Sequence, residues 1–266
     1  MQIASLARYP IKGCRGQLVP SVEIDALGVV GDRRLMLVDS AHRFLSQREV
    51  PALATVEPML DGPMLAVRAA GAPTLSHELD PEGTPIEVRI WKDLVTAHDQ
   101  GDRVAAWFTA AAGIPCRLVM FGAASHREID PEWSVRPGAE TAFADGYPLL
   151  AVVEASLDAL NAVLDTPVPM GRFRPSVVVS GAEAWSEAAW TTIALGSLVA
   201  DAVKPCARCL VPTTDQFTGA RDPDQEPLRT LARLRTIAGL GAIFGQNLMP
   251  RAPGTLALGD AVTVLA

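Results

Sequence analysis

Leu149-Leu150-Ala151-Val152-Val153 is five apolar residues with no polar break, and Ser176 to Val179 and Ile193 to Val199 extend the same pattern. A continuous apolar run of this length, bounded by turn residues, is the mark of a strand covered on both faces. Elsewhere the pattern alternates. Val22-Glu23-Ile24-Asp25, Met64 to Arg68 and Ile86 to Ile90 each put apolar residues on one face, with Glu87 and Arg89 outward. Leu35 to Val38 and Phe44 to Gln47 flank Asp39-Ser40-Ala41-His42 as the arms of a hairpin. Thr255 to Leu258, Gly259-Asp260 and Ala261 to Leu265 read as a second one. Helical signals are few. Asp102 is the expected cap of a helix over Arg103 to Ala112, stopped by Gly113. Ser156 is the expected cap of a helix carrying Leu157, Leu160 and Leu164, and Pro227 suits the first position of one carrying Leu228, Leu231 and Leu234. Many strands and few helices give a β-rich α+β fold, not a doubly wound sheet.

Composition narrows the function. The 266 residues include 23 Lys+Arg against 30 Asp+Glu, a net charge of −7, and 49% are hydrophobic. That share excludes a disordered chain. The acidity argues against a nucleic-acid partner, which needs a positive field. Four Cys are too few for a disulfide scaffold, and four His (His42, His77, His98, His126) lie too far apart in sequence to suggest a three-His metal site. No stretch is long and apolar enough to span a membrane, and Met1 to Gly16, with Arg8, Lys12 and Arg15, lacks the apolar core of a signal peptide. A pI near 5.1 suits a cytoplasmic protein. The seam between two parts is expected near Phe121 to Gly138, where Gly, Pro and charged residues cluster, and Gln216 to Glu226 reads as a solvated loop.

Two stretches carry chemistry. Lys204-Pro205-Cys206-Ala207-Arg208-Cys209 follows an apolar strand. A lone Cys-x-x-Cys is open to three readings: half a zinc site, a redox pair, or two small buried hydrophobes. A zinc site would have to draw in Cys14 and Cys116 from far away. Lys204 and Arg208 beside the pair favour a thiolate, a soft ligand suited to a transition metal. The second stretch, Tyr9-Pro10-Ile11-Lys12-Gly13-Cys14-Arg15-Gly16, sets cations beside glycines, an arrangement that suits an anion or a plain turn. Asp32-Arg33-Arg34 and Arg172-Phe173-Arg174-Pro175 add guanidinium groups, whose forks match phosphate oxygens. Gly239-Leu240-Gly241 begins a dinucleotide fingerprint but meets Phe244 where a third Gly belongs. His98-Asp99 has the makings of a general-base pair without other support, and Trp185 and Trp190 read as packing residues.

Taken in order, Tyr9 to Gly16, Gly31-Asp32-Arg33-Arg34, Phe173-Arg174-Pro175, Cys206-Ala207-Arg208-Cys209 and Phe244-Gly245-Gln246-Asn247 resemble the MOSC-domain proteins that carry an N-terminal MOSC β-barrel region. This is the group of the mitochondrial amidoxime-reducing components and their bacterial counterparts. The resemblance covers nearly the whole chain. It implies a MOSC-type β-barrel with an N-terminal β-barrel-like region and a few short helices, divided as residues 1–120 and 121–266.

The resemblance further implies a molybdenum cofactor (Mo-molybdopterin), with Cys209 as the protein sulfur on the metal. Lys12, Gly13, Arg33 and Arg174 would then meet the pterin phosphate. Ala207 and Arg208 would line the cofactor beside Cys209. Gly146 and Tyr147, in Asp145-Gly146-Tyr147-Pro148, and Asn247 match further contacts. Asp145 is the candidate for proton handling. The vertebrate members carry Ser where this chain has Gly13 and Ala207, a small hydroxyl pair at Gly146 and Tyr147, and Tyr at Asn247; backbone contacts survive such changes and side-chain ones do not. The implied activity is reduction of small N-hydroxylated compounds such as amidoximes and hydroxylamines. Without a four-Cys cluster pattern, the electrons are expected from a separate donor protein of reductase, ferredoxin or cytochrome type. A cofactor carrier or sulfur-handling protein without turnover is the alternative. Pyridoxal phosphate binding enters only through the family's general description.

Overall fold

The structure, a computed structural model, describes residues 1–266. Its elements are β1 (Gln2–Arg8), β2 (Gln17–Val19), β3 (Ser21–Asp25), β4 (Gly28–Val29), β5 (Leu35–Val38), β6 (Glu57–Asp61), β7 (Met64–Arg68), β8 (Leu75–Glu78), β9 (Pro85–Ile90), β10 (Asp93–Asp99), α1 (Asp102–Ala112), β11 (Arg117–Met120), β12 (Leu149–Val153), α2 (Glu154–Asn161), β13 (Val177–Ser180), β14 (Thr192–Leu195), β15 (Leu198–Ala207), α3 (Leu228–Leu234), β16 (Thr236–Ile237), β17 (Gly241–Pro250), β18 (Gly254–Ala257) and β19 (Val262–Val264). Strands dominate, and the α+β, β-rich class expected from sequence is the observed one.

The largest sheet runs β19-β14-β15-β17-β12-β13-β1-β2, with β16 added on β17. It curls until the β19 end meets the start of β1. Val262 N donates to Met1 O, Ile3 N donates to Asp260 O, and a bridge joins Gln2 to Ala261. This contact removes an open edge, so the sheet becomes a barrel. Its interior is an apolar cluster fed by alternate residues of these strands, among them Ile3, Leu6, Leu149, Ala151, Val153, Val177, Val179, Ile193, Leu195 and Leu248. Leu150 and Val152 point the other way, into a second cluster with Leu160, Phe173, Leu231 and Phe244. All five residues of β12 are buried, as the unbroken apolar run requires. The other sheets are β5-β11-β10-β9, β6-β7-β8 and β18-β3-β4. The first two and α1 rest on two further clusters, centred on Leu35, Leu53 and Phe108 and on Met36, Val88 and Phe143, whereas β18-β3-β4 adds Val22, Ile24, Val29 and Leu256 to the barrel core.

Several local expectations need correction. Ile193 to Val199 is not one strand. Gly196, at φ +58°, turns the chain between β14 and β15, and Leu195 faces Leu198 across a two-residue hairpin. Gly196-Ser197 is the two-residue hairpin signal that a reading of the apolar run alone passes over. Residues 255–265 do turn at Gly259-Asp260, but the two arms part: β18 pairs with β3 and β19 with β14. The Phe44 arm does return beside β5, through the Val38–Phe44 bridge and the bonds Asp39 N to Arg43 O at 2.9 Å and Leu45 N to Leu37 O at 2.8 Å, but it forms no extended strand. Asp102 does not cap α1; Gly101 holds that position, and Asp102 lies in the first turn and pairs with Arg117 at 2.8 Å. Gly113 ends the helix in the left-handed conformation at φ +73°. Ser156 lies inside α2, buried, donating to Glu187 Oε2 at 2.8 Å and accepting from Trp185 N at 2.7 Å. Pro227 is the N-cap of α3, and only Leu231 of its three leucines is buried. Gln216 lies at the start of the 216–226 loop yet is buried, exchanging hydrogen bonds with Gln47 at 3.2 Å.

The β15–β17 ladder is irregular at two places, between Ala202 and Lys204 and between Pro205 and Ala207. On β17 the second irregularity falls at Gly245, whose φ of +83° suits a bulge glycine. A Cβ there would sit 2.7 Å from Val152 Cγ2 and 2.8 Å from Ala151 O. Gly245→Ala therefore meets both backbone strain and an immovable carbonyl, and we expect a loss of roughly 2–4 kcal/mol in urea unfolding. Gly171→Ala, which meets open space at an ordinary φ, is expected to stay within about 0.5 kcal/mol. Equal stability of the two variants would contradict the bulge assignment.

Candidate functional site

The cleft beside the barrel mouth, about 250 Å³, is lined from both halves of the chain. Residues Lys12, Gly13, Arg33, Asp145, Gly146, Tyr147, Arg174, Ala207, Arg208, Cys209 and Asn247 all border it. They come from positions up to 235 apart in sequence, so only the fold makes them neighbours. Phe44, Ser46, Gln47, Arg48, Trp91, Phe173, Lys204 and Cys206 complete much of the wall.

The N-terminal wall is a set of loops laced by backbone bonds. Lys12 N donates to Leu35 O at 2.8 Å, and Arg33 N donates to Tyr9 O at 2.7 Å. Asp32 is buried here and accepts from Tyr9 N at 2.6 Å and from Arg33 Nη1 at 2.5 Å. Gly13 takes φ +84°, and Gln47 Nε2 fixes its carbonyl at 2.7 Å. Lys12, only 7% exposed, pairs with Asp145 at 2.5 Å and faces the rings of Phe44 and Trp91. Burial lowers its pKa and Asp145 opposes that. The Asp145 carboxylate opens onto the cleft. Its side chain stays largely exposed; desolvation by the cleft wall raises its pKa, but the charges of Lys12, Arg33 and Arg174 prevail and hold it well below the ordinary carboxylate range. Arg127 fastens this loop from behind: it pairs with Asp93 at 2.8 Å and donates to Ala142 O and Ala144 O at 2.9 and 2.6 Å.

Arg33 and Arg174 share one ring. Their guanidinium carbons lie 4.6 and 4.3 Å from the centroid of buried Tyr9. Both residues adopt left-handed backbone, at φ +47° and +56°. Arg33 keeps a raised pKa against its burial because Asp32 compensates it. Arg174 has no carboxylate partner. It donates through Nη1 to Cys14 O, while its buried Nη2 has no partner at all. Burial, then repulsion from Arg33, lower its pKa to about 10.

The opposite wall is the end of β15. Arg208 donates to Cys206 Sγ at 2.9 Å and to Phe173 O at 2.7 Å, and Phe173 stacks on Phe244 with centroids 3.9 Å apart. Cys206 is thereby held half-buried against the second cluster, whereas Cys209 is exposed at the mouth. Cys14 and Cys116 are buried in the Leu35 core cluster and do not reach this pair. Burial pushes the Cys14 thiol up to about 12. No three His, Cys, Asp or Glu side chains converge anywhere, so the zinc reading of the pair lacks its further ligands. His98 is buried and bonded to Gly83 O at 3.0 Å, and Asp99 is bound to Arg117, so those two do not form a base pair. Asn247 donates to Lys204 O at 3.1 Å, and the neighbouring Gln246 keeps a buried, unpaired Oε1. Tyr147 has a raised pKa, from burial first and then Asp130 and Glu132.

Arg48, Trp91, Gln47 and Arg127 were not legible as site residues. Their role depends on where distant loops dock. One signal existed: six cations, Lys12, Arg33, Arg48, Arg174, Lys204 and Arg208, meet one carboxylate, Asp145, in the cleft of a chain whose net charge is −7. Such a concentration of positive charge, with a buried guanidinium nitrogen left unbonded, fits an anionic ligand. The exposed thiol on the facing wall fits a soft metal.

Comparison with known proteins gives these features a context. Residues 1–115 match the MOSC N-terminal beta barrel domain, and residues 138–263 match the MOSC domain. The chain is 31% identical to mitochondrial amidoxime-reducing component 1 of Homo sapiens, over 99% of this chain and 82% of that protein. It is 32% identical to mitochondrial amidoxime reducing component 2 of Rattus norvegicus, over 96% and 80%. It is also 29% identical to molybdenum cofactor sulfurase of Oryza sativa subsp. japonica, over 90% of this chain but 31% of that one. The chain belongs to the family of MOSC proteins with an N-terminal MOSC β-barrel domain that includes the mitochondrial amidoxime-reducing components.

Proposed function

We propose that this protein is a molybdenum-cofactor-dependent oxidoreductase that reduces N-hydroxylated compounds. The observation that carries the reading is the pairing, across one cleft, of the Lys12–Arg33–Arg174 cation group with the exposed thiol of Cys209. The residues fit the cofactor. Arg174 Nη2 is a buried donor without a partner, and Gln246 Oε1 and Arg208 Nε are similarly unbonded. Lys12, Arg33, Arg174 and the Gly13 backbone would hold the pterin phosphate. Arg208, Ala207, Gly146, Tyr147 and Asn247 would border the pterin, and Cys209 would supply the protein sulfur. The cofactor would bring a two-electron redox centre with Lewis acidity.

The chain itself handles position and protons. Conversion of N–OH to N–H with release of water takes two electrons and two protons. The electrons would come from a separate donor protein. The Lys12–Asp145 couple is the proton-bearing element in our reading: the proton rests on Nζ, and the ionised carboxylate keeps it there. We take the chain as two units, residues 1–120 and 121–266, in line with the two family matches, tied by the ladder of β1 with β13. The structure has no helix long and apolar enough to cross a membrane; a cytoplasmic place is our assignment, supported by the acidic pI of about 5.1. A second reading, a cofactor carrier or sulfur-handling protein, is favoured by the relation to molybdenum cofactor sulfurase.

Turnover separates the two. Reduction of benzamidoxime by the molybdenum-loaded protein with an artificial electron donor supports the enzyme; loaded protein that never turns over supports the carrier. Cys209→Ala is expected to abolish molybdenum-dependent turnover, while Cys206→Ala keeps most of it because its sulfur only packs and accepts from Arg208. The reverse pattern would overturn the ligand assignment. The Lys12–Asp145 couple has its own signature. A carboxyl whose folded pKa is depressed keeps its ion pair above the ordinary carboxylate value of 3.8 and loses it only as pH falls toward the folded value. So kcat/KM should show no acid limb from Asp145 near neutrality. Its alkaline limb should lie below the ordinary lysine value of 10.5. Asp145→Asn, which removes the opposing charge, should move that limb lower. A limb that stays or rises in this variant would exclude the couple.

A further inference from the structure

Two of the six cleft cations are left over once the phosphate reading has been served. Lys12, Arg33 and Arg174 are taken by it, and Arg208 is tied to Cys206 and Phe173. Arg48 and Lys204 remain. Lys204 stands over Trp133, 4.5 Å from its centroid, at the outer side. Arg48 stands inside the cleft, 4.5 Å over Trp91 and 5.9 Å over Phe44. It forms no ion pair. Its one side-chain bond runs from Nε to Ser46 Oγ at 3.3 Å, so the outer fork of the guanidinium is unused.

Trp91 is an unusual partner for it. It sits in the turn between β9 and β10 at φ +54°, a conformation that a bulky residue adopts only when its surroundings impose it. Its ring tilts on Phe44 at 4.8 Å and is still 41% exposed, facing the cleft. It also borders an outer groove that continues from the cleft past Asp145, Gly146, Tyr147 and Lys204. The strained turn thus spends a large aromatic face on the passage by which a small molecule would reach Cys209. An aromatic surface beside an open guanidinium fork suits a planar conjugated group bearing a carboxylate.

We propose that Arg48 and Trp91 form a substrate subsite that selects planar N-hydroxylated compounds carrying a carboxylate. The carboxylate binds the Arg48 fork, the conjugated ring packs against the part of Trp91 left exposed by Arg48 and Phe44, and the N-hydroxyl end is directed to the Cys209 wall. This rests on the proposed reductase activity and names its substrate class.

The test compares 4-carboxybenzamidoxime with neutral benzamidoxime on the molybdenum-loaded protein. A charge-assisted, desolvated contact leads us to expect a preference of roughly tenfold in kcat/KM for the carboxylated compound, carried by KM. Arg48→Ala should bring the ratio between the two substrates close to one, and Arg48→Glu should invert it toward 4-(aminomethyl)benzamidoxime. Trp91→Ala should raise KM for both aromatic substrates. Molybdenum content should be the same in all variants, and the non-reducible 4-carboxybenzamide should quench tryptophan fluorescence in the loaded protein but far less in Trp91→Phe. Three results would overturn the subsite while leaving the reductase reading intact: equal kcat/KM for the two substrates in the unmodified protein, an unchanged ratio in Arg48→Ala, or loss of molybdenum from Arg48→Ala, which would make Arg48 a cofactor contact. Failure of the loaded protein to reduce either compound would remove both proposals.

Discussion

Two guanidinium groups share the ring of Tyr9, and only one of them has a carboxylate. Arg33 is neutralised by Asp32 at 2.5 Å, while Arg174, 8% exposed, is left with a backbone carbonyl and an unbonded nitrogen. A buried charge without a partner costs several kcal/mol. The cost falls when an anion enters. Much of the local architecture serves to hold this arrangement: the left-handed backbone at both arginines, the Tyr9–Asp32 bond, and Gly16, where any Cβ would lie 2.3 Å from the Tyr9 ring. The protein as a whole is acidic, yet here it keeps like charges together at its own expense. That is the character of a site kept for a ligand.

The barrel supplies the other half. The strand β15 ends at Ala207, so Cys206 is still inside the irregular ladder with β17 while Cys209 lies in the loop beyond it. Cys206 is half-buried against the cluster of Phe173 and Phe244, and Cys209 is exposed on the cleft wall. The anion-holding loops reach the same place because β1 is a wall of the barrel, hydrogen-bonded to β13, and the loop after β1 carries Lys12 and Gly13. Burial of Ile3 and Leu6 in the barrel core, worth about 1.5–3 kcal/mol each, therefore positions the cations as well as stabilising the fold.

The features legible in sequence are those set by local pattern. The unbroken run at Leu149 to Val153 told of two covered faces because each face meets its own apolar cluster. Alternation at Ile86 to Ile90 told which side chains point out. Ile193 to Val199 misled because the apolar residues on both sides outweighed the Gly196-Ser197 turn signal between them, and the last hairpin misled because a tight turn does not dictate that its arms pair. Asp102 and Ser156 have the residue type of caps, but tertiary partners, Arg117 and Glu187, claim their side chains. In the cleft, the cations and cysteines stood out as residue types in ordered motifs. Arg48, Trp91, Gln47 and Arg127 did not, since each acts through a contact made only after distant loops dock.

In our proposal the cation group and Cys209 together hold one molybdenum cofactor. Metal and pterin analysis of protein purified from a molybdenum-replete host tests it most directly. We expect about one molybdenum and one phosphorylated pterin per chain, both lost when Arg33 and Arg174 are replaced together by Ala. Zinc in place of molybdenum, or no metal with an intact fold, would contradict it.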